Sequence, residues 1–167
     1  MTKIPQITNE PDEKIWTDEA TGYDCVIVRN HMKAFCGYVR VPEGHQFFSK
    51  NYDHEIDATW FQNMKLSDAT PIIALMLQAS SDDQSTIRLD LAANVHGGIT
   101  WANDYMPTAD DRKPGEWWFG FDCAHAGDYV PGMPVGLSLE GTYRDIDYVT
   151  AECEKLAAFL KRYGEAA

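Results

Sequence analysis

Two periods divide the hydrophobic positions along this chain. From Tyr23 to Val28 and from Ala34 to Val41 β-branched and aromatic residues dominate, and the polar run 29–33 between them predicts a hairpin. Pro42-Glu43-Gly44 ends the second of these strands. Thr86 to His96 alternates, with Ile87, Leu89, Leu91, Ala93 and Val95 against Arg88, Asp90, Ala92, Asn94 and His96, which predicts one long strand. Glu116 to Asp122 alternates too, placing Trp117, Phe119 and Phe121 opposite Trp118, Gly120 and Asp122. A helical period takes over near the end of the chain, where Ile146, Val149, Cys153, Leu156, Leu160 and Tyr163 form one stripe. Acids crowd the first half of that segment and Lys155, Lys161 and Arg162 the second. This order complements the helix dipole and puts the start near Thr142 to Asp145.

Residues 54–85 read as a helical insertion. Asp57 is placed to cap a turn through Trp60, Phe61 and Met64, and Pro71 opens the segment Ile72-Ile73-Ala74-Leu75-Met76-Leu77, which is apolar on nearly every side. Such a segment must be enclosed, and a second subunit is one way to do it, so a homo-oligomer is expected with a twofold dimer as the default. The first twenty residues, acidic and with Trp16 as the one large apolar anchor, read as a surface arm or short helix. The expected fold is α+β in a single domain over 1–167: an antiparallel sheet with the C-terminal amphipathic helix on its apolar face. The other face would then present Arg88, Asp90, Asn94, His96, Trp118 and Asp122 to solvent.

At 167 residues the chain matches one core rather than two. Its 26 acidic and 14 basic side chains give a net charge of −12, which disfavours non-specific binding to nucleic acid, since that affinity comes from cations neutralising phosphates. No run of apolar residues reaches the ~20 of a membrane helix, and the opening Met-Thr-Lys-Ile-Pro-Gln lacks the apolar centre of a signal peptide, so the cytoplasm is the expected location. The 4 cysteines lie far apart with no Cys-x-x-Cys pair, and buried thiols are expected in a reducing compartment. The glycine-rich phosphate loop, the dinucleotide fingerprint and the Gly-x-Ser-x-Gly elbow are all missing.

Three clusters remain as candidate chemistry. His96-Gly97-Gly98 follows the alternating segment, and the two glycines let backbone turn sharply or approach a ligand. Asp122, His125 and Asp128 repeat a carboxylate, an imidazole and a carboxylate at intervals of three, a donor set suited to a divalent metal that would activate water; capping of the turn by the two acids is the structural alternative. His45, soon after Gly44, adds an imidazole, and histidine ordinarily titrates near pH ~6.5, within reach of acid–base work. Trp118, left on the polar face beside Asp122, would offer a stacking platform for a base or sugar.

Gly37-Tyr38-Val39-Arg40-Val41-Pro42-Glu43-Gly44-His45, Tyr52-Asp53, Val95-His96-Gly97-Gly98-Ile99-Thr100, the block Trp117-Trp118-Phe119-Gly120-Phe121-Asp122-Cys123-Ala124-His125-Ala126-Gly127-Asp128 and Tyr143-Arg144-Asp145 together resemble a family of small proteins common in phage genomes and prophages. The resemblance implies phage context and a shared site without naming a reaction. In that site His45, His96 and His125 are the expected catalytic groups, Tyr52, Asp53, Gly97, Gly98, Trp118 and Arg144 the expected ligand contacts, and Asp122, His125 and Asp128 the metal set if a metal is used.

The expected function is hydrolysis of a small nucleotide, cyclic forms included, that serves as a host defence signal. Sequestering such a nucleotide uncleaved is the second expectation. Inhibition of a host protein through an acidic, DNA-like surface is the third, resting on the net charge of −12.

Overall fold

A computed structural model describes residues 10–61, 86–107, 115–134 and 141–164. Seven strands and two α-helices are defined in them: β1 Glu13–Thr17, β2 Asp24–Arg29, β3 Phe35–Val41, β4 Glu55–Asp57, β5 Thr86–Arg88, α1 Leu89–Ala92, β6 Trp101–Asn103, β7 Trp117–Asp122 and α2 Ile146–Gly164. Five strands form an antiparallel sheet in the order β1-β2-β3-β7-β6, and β4 pairs with β5 in a separate ribbon. The fold is α+β, with α2 across the sheet. The insertion segment Ile72–Leu77 lies outside the described residues, as does most of 54–85.

The central hairpin forms as its pattern requires, with Val26 paired to Tyr38 and Val28 to Cys36. Asn30 closes it, its side-chain oxygen accepting from the amides of Met32 and Ala34. Helix α2 begins after Asp145, whose carboxylate accepts from the Tyr148 amide as an N-cap should. Val149, Cys153, Leu156 and Leu160 of its stripe are fully buried against Ile27, Val39, Phe119 and Phe121 of the sheet. Each such aliphatic side chain contributes roughly 1.5–3 kcal/mol by burial. Gly37 permits the close approach, since a Cβ there would stand 2.6 Å from Cys153 Sγ.

Three expectations are corrected. Thr86 to His96 is not one strand: pairing stops at Arg88, and Leu89, Ala92 and Ala93 turn their side chains into the core with the i, i+3, i+4 spacing of a helical turn while Leu91 is exposed. The alternation is compatible with both periods because small alanines fill the deciding positions. The acidic N-terminal arm contains a strand, β1, pairing Ile15 with Val26 and Trp16 with Cys25. Finally, the second sheet face is not solvated. Val26, Val28, Cys36, Tyr38 and Trp118 bury one another there, with Trp101 and Met106 packed alongside.

Glu10 links the arm to the helix. Its carboxylate accepts from the Arg29 guanidinium at 3.0 Å, from the Tyr143 hydroxyl at 2.6 Å and from the Ile146 amide at 2.8 Å. Burial alone would raise its pKa, but these donors outweigh burial and hold it below the ordinary 4.5.

Candidate functional site

Five segments meet beside the N-terminal half of α2: the loop after α1, the end of β7, the turn that follows it, the stretch before α2 and the first two turns of α2 itself. The loop after α1 presents His96. Its backbone amide donates to the Glu152 carboxylate at 2.7 Å, which fastens the loop to the helix. Glu152 is itself buried and bound to Lys155 at 2.8 Å.

Asp128 is the hub. Its Oδ2 lies 2.7 Å from His96 Nε2 and accepts the His125 amide at 3.0 Å, while its Oδ1 accepts Arg144 Nε at 2.9 Å. The side chain is only 2% exposed. Desolvation would raise its pKa, yet the three donors prevail and hold the carboxyl below 3.8. It is therefore ionised near neutral pH and can only accept, so His96 Nε2 carries the hydrogen between them. In neutral His96 the other nitrogen, Nδ1, is then an acceptor, and the Tyr148 hydroxyl 2.9 Å away is its donor. Burial, and next the nearby Glu152 charge, raise the Tyr148 pKa and keep the phenol protonated for that role.

His125 stands beside His96 with ring centroids 5.6 Å apart. Its ring is about one-third exposed, but Nε2 is buried against Gly97, 3.7 Å from Asp122 Oδ1, with no hydrogen-bond partner among the described residues. Asp122 caps the turn by accepting the Ala124 amide at 3.0 Å and also takes the Thr100 hydroxyl at 3.3 Å. Arg144 lies over the Tyr148 ring at 4.7 Å and spends only Nε on Asp128, so among the described residues its terminal nitrogens make no hydrogen bond. A guanidinium fixed in this way, with its terminal nitrogens unspent, is suited to an anionic group such as a phosphate.

The structure thus brings together His96, Gly97, Asp122, His125, Asp128 and Arg144 across residues distant in sequence. The convergence is possible because β5 is not a neighbour of β7 and the loop after α1 folds back to the end of β7.

His45 does not join them. It is buried at the other end of α2, where Nδ1 accepts the Phe47 amide and Nε2 lies 3.0 Å from the Leu160 carbonyl. Tyr148 and Leu160 are twelve residues apart on α2, about 18 Å at helical rise. His45 is a helix-end fastener. Trp118 is 7% exposed, its indole N–H donating to Glu116, so it offers no stacking surface. Tyr52 holds the start of α1 through its carbonyl, which accepts the Asp90 amide, and Asp53 stands on the surface near Arg88. Gly98 adjoins the Asp90 carbonyl rather than either site histidine.

The metal expectation meets a different arrangement. Asp128 already has three donors, one of them a cation, and among the described residues no group of three or more His, Cys, Asp or Glu side chains is disposed around a common point for an ion. Asp122, His125 and Asp128 form a hydrogen-bonded turn, the capping alternative. A cleft of about 410 Å³ lies elsewhere, between the start of β2, the end of β3 and Lys161, and includes none of these residues.

Tyr148 and Glu152 are site residues that the sequence patterns do not single out. A signal exists: Arg144, Tyr148 and Glu152 recur every four residues, on one helical face adjoining the apolar stripe. No helix among the described residues is long and apolar enough to cross a membrane. Set against protein-family models, curated proteins and solved structures, the chain finds no match in any of the three comparisons.

Proposed function

We propose that the protein hydrolyses a small nucleotide by acid–base chemistry at the site where His96 and His125 meet, with Arg144 holding the phosphate. The observation that carries this reading is the imidazole pair at 5.6 Å, one member oriented by Asp128 and the other partly exposed, with Arg144 bound to the same Asp128. The resemblance of the 117–128 block to phage and prophage proteins supports the biological setting, removal of a nucleotide that signals host defence.

Sequestration without cleavage is the second reading. It draws on His96 having both ring nitrogens engaged, which withdraws that ring from direct contact with a ligand.

One experiment separates them. The protein is incubated with a panel of linear and cyclic di- and trinucleotides, heat-denatured, and the supernatant resolved by chromatography. Shortened or linearised nucleotide supports hydrolysis, while a nucleotide bound before heating and released intact supports sequestration. A panel neither bound nor altered removes both.

A further inference from the structure

We infer that the Tyr148 hydroxyl, rather than the His96 ring, is the group that exchanges a proton with substrate, His96 and Asp128 forming a relay behind it. The inference rests on the hydrolytic reading above, and it follows from counting hydrogen-bond positions. Asp128 occupies His96 Nε2 at 2.7 Å and Tyr148 occupies Nδ1 at 2.9 Å, so the imidazole has no nitrogen left to offer. Its side chain is 11% exposed. Tyr148 is half-buried, stands on the first turn of α2 and faces the His96 ring edge-on at 5.5 Å. With its hydrogen donated to Nδ1, the phenolic oxygen retains acceptor capacity for an incoming O–H. Arg144 lies over the same phenol ring at 4.7 Å, which keeps a cation beside the phenol for the phosphate of the proposed substrate.

The resulting step balances. A water oxygen bonds to phosphorus and its proton passes to Tyr148 Oη. The proton already on Tyr148 moves to His96 Nδ1, making an imidazolium held by the Asp128 carboxylate. The phosphorus–oxygen bond to the leaving group breaks, and that oxygen takes a proton from His125 in its imidazolium form. No atom changes oxidation state, and proton exchange with solvent resets both imidazoles. Tyr148 is then the catalytic residue of the relay, with His96 and Asp128 positioning and charging it.

The test uses the full chain labelled with ¹⁵N-histidine. Long-range proton–nitrogen correlation should find neutral His96 in its Nε2–H tautomer, with the Nδ1 resonance moving downfield in Tyr148→Phe as that nitrogen loses its donor. Turnover of the nucleotide consumed by the wild type should fall at least about a hundredfold in kcat in Tyr148→Phe, with KM and melting temperature little changed. An Nδ1–H tautomer, or full turnover in Tyr148→Phe, overturns the relay while leaving the hydrolytic reading in place. A wild-type chain that cleaves nothing in the panel overturns both.

Discussion

His125 lies where the side chain of residue 97 would otherwise be: a Cβ built on Gly97 falls inside the contact distance of the imidazole, and Gly97 itself has φ +67. Both facts demand glycine. Gly97→Ala is expected to force the His125 ring away and to strain the backbone by roughly 1–3 kcal/mol, a drop of about 2–4 °C in melting temperature for each kcal/mol. Thermal melting checks the cost, and the His125 ring resonances check the displacement. An unmoved ring and an unchanged melting temperature would contradict the packing described.

His45 should behave oppositely to the site histidines. Removing its ring leaves the Phe47 amide without its acceptor in the core beside Tyr23 and takes a second donor from the Leu160 carbonyl. His45→Ala should therefore cost about 1–3 kcal/mol for the amide left unsatisfied. Ligand binding or turnover per folded molecule should be unaffected. Parallel urea titrations and activity measurements would expose the error if the site failed while stability held.

Helix packing is open to direct test. Leu156 and Leu160 are 0% exposed, so truncation of either to alanine should cost about 2–5 kcal/mol, the range reflecting how far the cavity collapses. Urea unfolding monitored by tryptophan fluorescence gives the number. A loss under about 1 kcal/mol would mean that α2 does not press its stripe onto the sheet as found.

Acid should weaken the fold through Asp128 and Glu10. Both carboxyls have folded-state values below their ordinary ones of 3.8 and 4.5, so the folded chain binds their protons less readily than the unfolded chain does. The stabilisation is complete above those ordinary values and is lost as pH falls through the lowered ones. Urea midpoints should hold steady above about pH 5 and decline below it, and Asp128→Asn should decline less steeply. If the Asp128→Asn chain proves as acid-sensitive as the wild type, the carboxylate contributes nothing through its three donors.

The thiols should be inert in the folded state. Cys25, Cys36, Cys123 and Cys153 are all free and buried. Desolvation, followed by nearby acids, pushes Cys25 up to about 12 and Cys36 to about 11, with Cys123 and Cys153 raised as well. A colourimetric thiol reagent at pH 8 should find almost no reactive sulfur until denaturant is added, then all 4. Rapid labelling of even one in the native chain would contradict the burial.

Periodic elements are legible in the sequence. The stripe Val149–Cys153–Leu156–Leu160, the hairpin about Asn30 and the alternation through Trp117 and Phe119 each repeat one physical demand often enough to stand out. The expectation of one site from His45, His96, Asp122, His125 and Asp128 is met in position by all but His45, although His96 reaches it from the loop after α1 and not from a strand end. Single events left no such trace. Trp118 looked polar-facing because alternation sorts side chains into two faces but does not say that the second face carries its own apolar cluster. His45 looked catalytic because a histidine that closes a helix end 115 residues away is indistinguishable, in sequence, from one awaiting a substrate.

The Glu10 carboxylate bears on the order in which the molecule assembles. A helix usually finds the acceptors for its first amides within a residue or two, as α2 finds Asp145, but the Ile146 amide takes one from a residue 136 positions earlier. On a ribosome that carboxylate emerges well before the helix it serves, and it cannot pair with Tyr143 and Ile146 until the 133 to 136 residues that separate them have followed. Contacts of such separation slow folding because the chain entropy is surrendered before the contact rewards it. The arm and the α2 N-terminus therefore complete each other: the helix start gains its full set of partners only once Glu10 has been brought back to it.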